Sequence, residues 1–128
     1  MSAPLAPYPL VAFVVVSNPD VARAFYRDKL GLKLIEEQLP FALVFDVHGV
    51  TLRVSMAFGP VSPARHTVLG WHVPDIAQAV RDLNAAGIEV QRYEGMQQDE
   101  LGIWTTPTGS KVAWFRDPDG NVLSVSQS

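Results

Sequence analysis

The 128-residue sequence predicts an α+β fold of two tandem βαβββ modules that form a curled mixed sheet around a cleft. Three observations predict it: a turn-and-strand segment that occurs twice, two helices that each follow an apolar strand, and a glycine after each helix. The length favours a single domain. We place module one at about 9–57, module two at about 66–127 and a long loop at 94–110.

Two segments of the sequence align without a gap. Residues 46–54 read DVHGVTLRV and residues 117–125 read DPDGNVLSV, so an Asp, a Gly, a Leu and a Val recur at the same steps. Each segment is typical of a tight turn followed by an outgoing strand, with glycine where the turn needs a positive φ. The predicted hairpin strands are 41–47 with 50–56, and 111–116 with 121–126.

Upstream of each hairpin, an apolar strand leads into a helix with a recognisable cap. Asn18 stands before a proline at the first helical position, and Asp75 can cap the second helix. The second helix then has an apolar residue at i, i+3, i+4 and i+7, starting at Ile76. Gly31 and Gly87 follow the two helices and are expected to end them.

After each helix a further strand is predicted, at 32–37 in the first copy and at 88–93 in the second. The copies then differ, because the second has the long connection 94–110. A loop of that length in a small domain is usually functional or mobile. It carries apolar residues, Trp104 among them, whose permanent exposure would be costly, so part of the loop is expected to fold over something.

Composition excludes several functions. The net charge of −3 leaves no basic stripe for nucleic acid. The absence of cysteine removes disulfides, zinc–thiolate sites and thiol nucleophiles. The apolar run 10–16 has no preceding Lys or Arg and is too short to span a membrane. We therefore expect a cytoplasmic protein with no nucleic-acid or membrane partner.

The runs 24–31 (AFYRDKLG) and 115–121 (FRDPDGN) resemble segments of the vicinal oxygen chelate superfamily, which has the glyoxalase, bleomycin-resistance and extradiol dioxygenase fold. Together with Gly87 after the second helix, the resemblance covers nearly the whole chain. It implies two βαβββ units, each curling into half of a cleft. Because this fold hosts many functions, the resemblance is a poor guide to activity.

In metal-dependent members, the resemblance implies one ligand, typically His or Glu, on the first and the last strand of each unit. The matching positions here are Val11 and Arg53 in the first copy, and Val68 and Ser124 in the second. Valine offers no lone pair, arginine is permanently cationic and serine alone is a weak ligand. The sequence therefore predicts a member that has lost the usual metal ligands and needs no cofactor.

Strand alternation predicts which polar side chains face the cleft. Arg53 could hold a carboxylate or phosphate by a forked hydrogen bond, or it could pair with a neighbouring carboxylate or lie at a subunit interface. His66 and His72 share a strand face. Each is a candidate acid, base or off-register ligand, and the alternatives are solvation for the first and a hydrogen bond at the helix entry for the second.

An aromatic set is the other feature of the predicted cleft. Trp104 is the best ligand-facing candidate because it lies in the long loop, and Phe115 is preferred to Trp114 as the facing residue of its strand. Flat ligands stack well on such rings, although some of them are expected to complete the core. The predicted ligand-binding residues are Phe13, Arg53, His66, Val68, Tyr93, Trp104, Phe115 and Ser124.

Together these features predict a glyoxalase/bleomycin-resistance-like protein that binds a small, aromatic or anionic molecule without a catalytic metal. One alternative is a metal-dependent lyase, isomerase or dioxygenase, with His66, His72 and a loop carboxylate (Asp99 or Glu100) as ligands. Another is a metal-free enzyme in which Arg53 polarises an anion and Tyr93, His66 or Glu100 transfers the proton. We expect a homodimer, because two-unit members commonly pair and a short chain gains core by association.

Overall fold

The computed structural model describes residues 3–128. This part of the chain divides into two compact units, the first ending at Val61 (unit one) and the second covering Ser62–Ser128 (unit two). Each unit has a four-stranded mixed sheet and one helical stretch, so the predicted α+β class with two βαβββ units is confirmed. No helix among the described residues is long and apolar enough to cross a membrane.

Unit one has the sheet order β1-β4-β3-β2, with β1 parallel to β4 and the other neighbours antiparallel. Its helix begins as an α-helix and continues as a π-helix, a change that the sequence did not predict. Its elements are β1 (Val11–Val16), α1 (Pro19–Arg23), the π-helical segment (Ala24–Lys29), β2 (Lys33–Gln38), β3 (Ala42–Val47) and β4 (Val50–Met56).

The helix of unit one begins where the sequence predicts. The side chain of Asn18 accepts hydrogen bonds from the backbone N–H groups of Asp20 and Val21 at 2.8 and 3.0 Å. These are two of the four N–H groups that a helix leaves without an internal partner at its start. Gly31 follows the helix with a φ of +75°, as expected of a residue that ends a helix.

One face of the sheet in unit one is buried beneath the helical stretch. Tyr26 is fully buried, and its ring centre lies 6.3 Å from that of Phe45 on β3. Leu52 and Val54 on β4 are also buried, whereas Arg53 between them is half-buried. Because side chains alternate along a strand, the opposite face carries Arg53, and we call it the open face of unit one.

Unit two repeats this arrangement with the sheet order β5-β8-β7-β6, in which β5 is parallel to β8. Asp75 caps its helix as predicted, because its carboxylate accepts the N–H of Gln78 at 3.1 Å. The predicted hairpin strands lie within one residue of the observed ones. Its elements are β5 (Thr67–His72), α2 (Ile76–Ala85), β6 (Trp104–Thr105), β7 (Lys111–Arg116) and β8 (Val122–Gln127).

The predicted strand at 88–93 is wrong, because the fourth strand of this sheet is β6 instead. The side chain of Gln98 explains the difference. Its amide donates to the carbonyl of Gln91 at 2.9 Å, and its amide oxygen accepts the N–H of Tyr93 at 2.8 Å. Two backbone groups that a strand would offer to a neighbouring strand are therefore bonded to a side chain of the following loop. The N–H of Gln91 still donates to the carbonyl of Trp114 on β7 at 2.7 Å.

The long loop 94–110 is held by several further hydrogen bonds. The guanidinium of Arg92 donates to the carbonyls of Asp99 and Glu100 at 2.9 and 2.7 Å. The carboxylate of Asp99 accepts the N–H of Ile103 at 2.9 Å, and Ile103 is buried. Ile103 of the loop is thus packed into the interior of unit two, in keeping with the expectation that part of the loop folds over something.

Candidate functional site

The open face of unit two is defined by the register of its strands. Gly70 on β5 stands opposite Ser124 on β8, and Ser124 stands opposite Trp114 on β7. Directly paired residues point to the same side of a sheet, so these three side-chain positions form one row. A second row on the same face consists of His72, Ser126, Val112 and Trp104.

Three aromatic side chains meet at one end of these rows, and we call them the aromatic group: Tyr93, Trp104 and Trp114. The ring centres of Trp104 and Trp114 lie 6.0 Å apart with an interplanar angle of 30°, which is a stacked arrangement. Tyr93 meets Trp114 edge to face at 5.7 Å. The indole N–H of Trp114 donates to the hydroxyl of Thr67 at 3.1 Å, which fixes its ring across the sheet.

The orientation predicted for Phe115 is wrong. Phe115 pairs with Leu123, is 1% exposed and stacks on Trp71 at 6.3 Å, so it belongs to the core between sheet and helix. Trp114 takes the open-face position instead. The cause is the turn before β8, because a change of register by one residue moves every side chain of a strand to the other face.

The open face of unit one carries an unpaired cation. Arg53 stands opposite Phe13 on β1 and Val44 on β3. Arg53 is half-buried, and its guanidinium makes no ion pair or hydrogen bond with any residue in 3–128. Phe13 is 59% exposed beside it, and Val11 on the same strand face is 40% exposed. Val44 is only 5% exposed, so the accessible apolar surface beside this cation lies on its β1 side.

The histidines are not brought together. His66 is exposed and precedes β5, and His72 lies on the open face with its Nε2 atom 3.1 Å from the hydroxyl of Ser128. Val68, which was predicted to face the cleft, falls at an irregularity of the β5–β8 pairing and is 36% exposed. Of the predicted residues in unit two, Tyr93, Trp104 and Ser124 share one face, while His66 and Phe115 lie off it.

The donor atoms present do not fit the metal that the resemblance implies. Among residues 3–128, no group of three or more His, Cys, Asp or Glu side chains could hold a metal ion. Arg53 and Ser124 face the non-ligating residues Phe13 and Gly70. The carboxylate of Asp99 already accepts backbone N–H groups in its own loop. A protein site for such a metal needs three or more donors that converge on one point, and these side chains do not supply them.

Charged pairs with shifted pKa values lie away from both open faces. Hydrogen bonds to Asp20, and to a smaller extent to Glu37, raise the pKa of Arg23 above its usual value. The ion pair of Arg23 with Glu37 also connects α1 to β2. A hydrogen bond from Arg27 lowers the pKa of Asp28. These groups stabilise the helical side of unit one and have no part in the candidate site.

A concavity of about 670 Å³ lies on the helical side of unit two, near the start of α2. Its lining includes Asp75, Lys111 and Gln127, and Trp104 of the aromatic group also borders it. The N–H of Ile76 donates to the side chain of Gln127 at 2.8 Å, so this helix end is already capped. The open face is the stronger candidate site, because the rings of Trp104 and Trp114 stack there beside serine hydroxyls that have no hydrogen-bond partner among residues 3–128.

The chain matches the family model described as the Glyoxalase/Bleomycin resistance protein/Dioxygenase superfamily over residues 9–125. Among solved structures, lactoylglutathione lyase from Agrobacterium tumefaciens is 21% identical with a TM-score of 0.73, covering 98% of this chain and 96% of that one. A superfamily member from Sphaerobacter thermophilus DSM 20745 is 22% identical with a TM-score of 0.74, covering 94% and 97%.

A glyoxalase family protein from Enterococcus faecalis is also similar, at 22% identity and a TM-score of 0.69, with 92% of this chain and 94% of that one covered. At such identities the likeness to solved structures shows the fold and no more. No curated protein matches the chain. The family model, which covers most of the sequence, carries the assignment. This chain belongs to the glyoxalase/bleomycin resistance protein/dioxygenase superfamily.

Proposed function

We propose that this family member binds a small aromatic or anionic molecule on the open faces of its sheets, and that binding needs no catalytic metal. The aromatic group of unit two is the observation that carries the proposal. Trp104 and Trp114 are both half-buried, so part of each indole is accessible. A flat ligand that adds to such a stack gains about 0.5–1.5 kcal/mol per aromatic pair beyond the burial of its surface.

Arg53 supports the anionic part of the proposal. Arg53 is half-buried, and its guanidinium has no ion-pair partner among residues 3–128. A charged group that is partly removed from water is stabilised when it gains a partner. A carboxylate or phosphate supplies such a partner through two parallel N–H···O bonds. The exposed ring of Phe13 opposite Arg53 offers apolar contact to the rest of such a ligand.

The experiment is a thermal-shift screen of aromatic and anionic small molecules, followed by calorimetric titration of the hits. We expect Trp104→Ala to weaken binding of aromatic hits about tenfold, which corresponds to about 1.4 kcal/mol. Phe58→Ala is the matched control, because Phe58 is an aromatic residue that is 95% exposed in unit one. If Trp104→Ala and Phe58→Ala bind every hit as the wild type does, the aromatic group is not a binding surface.

Elemental analysis tests the metal-free part of the proposal. Purified protein is incubated with Zn²⁺, Mn²⁺, Fe²⁺ or Ni²⁺, desalted and measured. We expect no stoichiometric metal, because the side chains at the positions that the family resemblance marks for ligands supply no His or Glu. A stoichiometric metal that survives desalting would contradict this part and favour a metal-dependent enzyme.

A further inference from the structure

We infer that Gly70, Ser124 and Ser126 form the floor of the ligand site on unit two, and that this floor selects flat ring systems with a polar edge. The inference rests on the proposed function and deepens it, because it names the class of ligand. We call these three residues the small-residue floor. It lies beside the aromatic group on the same sheet face.

The floor has a wall on one side. Ser124 stands between Gly70 and Trp114 in one row of the sheet, and Ser126 lies in the next row. The indole of Trp114 reaches across β8 to the hydroxyl of Thr67 on β5. A planar molecule on the floor therefore has small residues beneath it and an indole ring beside it.

Gly70 is the unexpected member of the floor. It lies inside β5 and is exposed, and it does not have the positive φ found at the turn glycines. A glycine inside a strand weakens the strand and often marks a close approach by a ligand or another backbone. A Cβ atom at Gly70 would lie 2.8 Å from the hydroxyl oxygen of Ser124. Glycine at this position therefore leaves room for the hydroxyl of Ser124 and adds no side chain of its own to the sheet face.

The hydroxyls of Ser124 and Ser126 are the reason to expect a ligand with a polar edge. Neither Ser124 nor Ser126 uses its side chain in a hydrogen bond with any residue in 3–128. A hydroxyl can donate one hydrogen bond and accept others. Ser126 is half-buried and Ser124 is 9% exposed, so the hydroxyl of Ser126 is the more accessible partner for a ring nitrogen, a carbonyl or a carboxylate. A bulky saturated ligand of the same charge would instead collide with the indole wall before it reached the hydroxyls.

The experiment compares two carboxylates of different shape, naphthoate and adamantane carboxylate, by calorimetric titration. We expect wild-type protein to bind the flat naphthoate at least about tenfold more tightly than the globular adamantane carboxylate. Gly70→Leu should weaken naphthoate binding about tenfold, and Gly70→Ala should weaken it less. Gly59→Leu is the matched control, because a Cβ atom at Gly59 meets nothing within 4 Å.

Folding is checked by thermal melting of each variant. The close contact at Gly70 involves the end of a serine side chain, which can rotate away, so both Gly70 variants should fold. If Trp104→Ala weakens naphthoate binding and Gly70→Leu leaves it unchanged, the inference is overturned while the proposed function stands. The inference is also overturned if Gly70→Leu changes the oligomeric state in light scattering and leaves the naphthoate affinity unaltered. The floor would then contact another copy of the chain. If the wild type binds neither carboxylate, the proposed function fails for aromatic acids and the inference fails with it.

Discussion

Replacing Asp117 by Ala should destabilise the protein far more than the same change at Asp46, its counterpart in the first copy. Asp117 is 5% exposed. Its carboxylate accepts the backbone N–H groups of Asp119 and Asn121 at 3.0 and 2.9 Å, and the side-chain amide of Asn121 at 2.8 Å. Asp46 is half-buried, and its carboxylate accepts one hydrogen bond among the described residues, from the N–H of Gly49 at 3.2 Å.

The magnitude follows from these contacts. A hydrogen bond to a charged group contributes about 1.5–3 kcal/mol, and removing the acceptor leaves buried donors without a partner. Three such bonds share one carboxylate and are not additive, so we expect Asp117→Ala to lower the free energy of unfolding by about 3–4 kcal/mol. The longer and more exposed bond of Asp46 should contribute about 1 kcal/mol or less.

Urea unfolding measures both losses. All three tryptophans, Trp71, Trp104 and Trp114, lie in unit two, so their fluorescence reports the unit that contains Asp117. Circular dichroism reports both units and is needed for Asp46→Ala. Equal losses for the two variants, or a loss below about 1 kcal/mol for Asp117→Ala, would refute the reasoning, since the larger set of bonds would then contribute nothing extra.

Three other outcomes are expected. Arg53→Gln should weaken binding of the anionic hits of the thermal-shift screen about tenfold, and Arg53→Lys should recover only part of it because lysine lacks the planar fork; unchanged calorimetric titrations of those hits would contradict an anion-binding role. The pKa of Asp28 is lowered from 3.8 by the hydrogen bond from Arg27, so the pair's small stabilisation is present above that pH and lost as the pH falls through the lowered pKa. Asp28→Asn should therefore alter urea midpoints only at pH values above the lowered pKa, and an effect confined to lower pH would argue against the pair. The chain should be a dimer in light scattering at micromolar concentration, and a monomer would refute that expectation.

The local features of the fold could be predicted because single residues determine them. Asn18 and Asp75 cap the helices through their own side chains, and Gly31 ends the first helix with a positive φ. The outward orientation of Arg53 also follows from strand alternation alone, since Leu52 and Val54 on either side are apolar. That this guanidinium has no ion-pair partner could not be predicted, because it depends on where distant carboxylates lie.

The strand predicted at 88–93 failed for a different reason. Its residues have a strand-like pattern, but Gln98 bonds the backbone at Gln91 and Tyr93. Nothing in the sequence indicates that the side chain of a loop glutamine will take backbone hydrogen bonds that a neighbouring strand would otherwise make. The close approach of Gly102 to Val90, where a Cβ atom would lie 2.5 Å from a methyl carbon, shows how tightly the loop meets this segment.

Phe115 was placed on the wrong face because the repeat is not exact at its second turn. In the first copy, Val44 stands opposite Arg53, and the alignment of the copies puts Phe115 and Ser124 at those positions. The structure has Trp114 opposite Ser124 instead. The first turn has two residues between paired strands, whereas the second has five, and this shifts β7 by one residue.

The second turn differs from the first in the bonds that Asp117 makes, because Asn121 stands where the first copy has Val50 and donates its side-chain amide to Asp117. Asp117 leaves the strand pairing, and its backbone N–H donates to the carbonyl of Asn121 at 3.0 Å while its carboxylate bonds the turn from within. The turn that these bonds stabilise places Trp114 on the open face and Phe115 in the core. Without these bonds, the second copy can form the two-residue turn of the first copy. In that register Phe115 would lie on the open face and Trp114 in the core. Asp117→Ala should therefore weaken naphthoate binding beyond the loss of folded protein, because the network that stabilises the turn also positions the aromatic group.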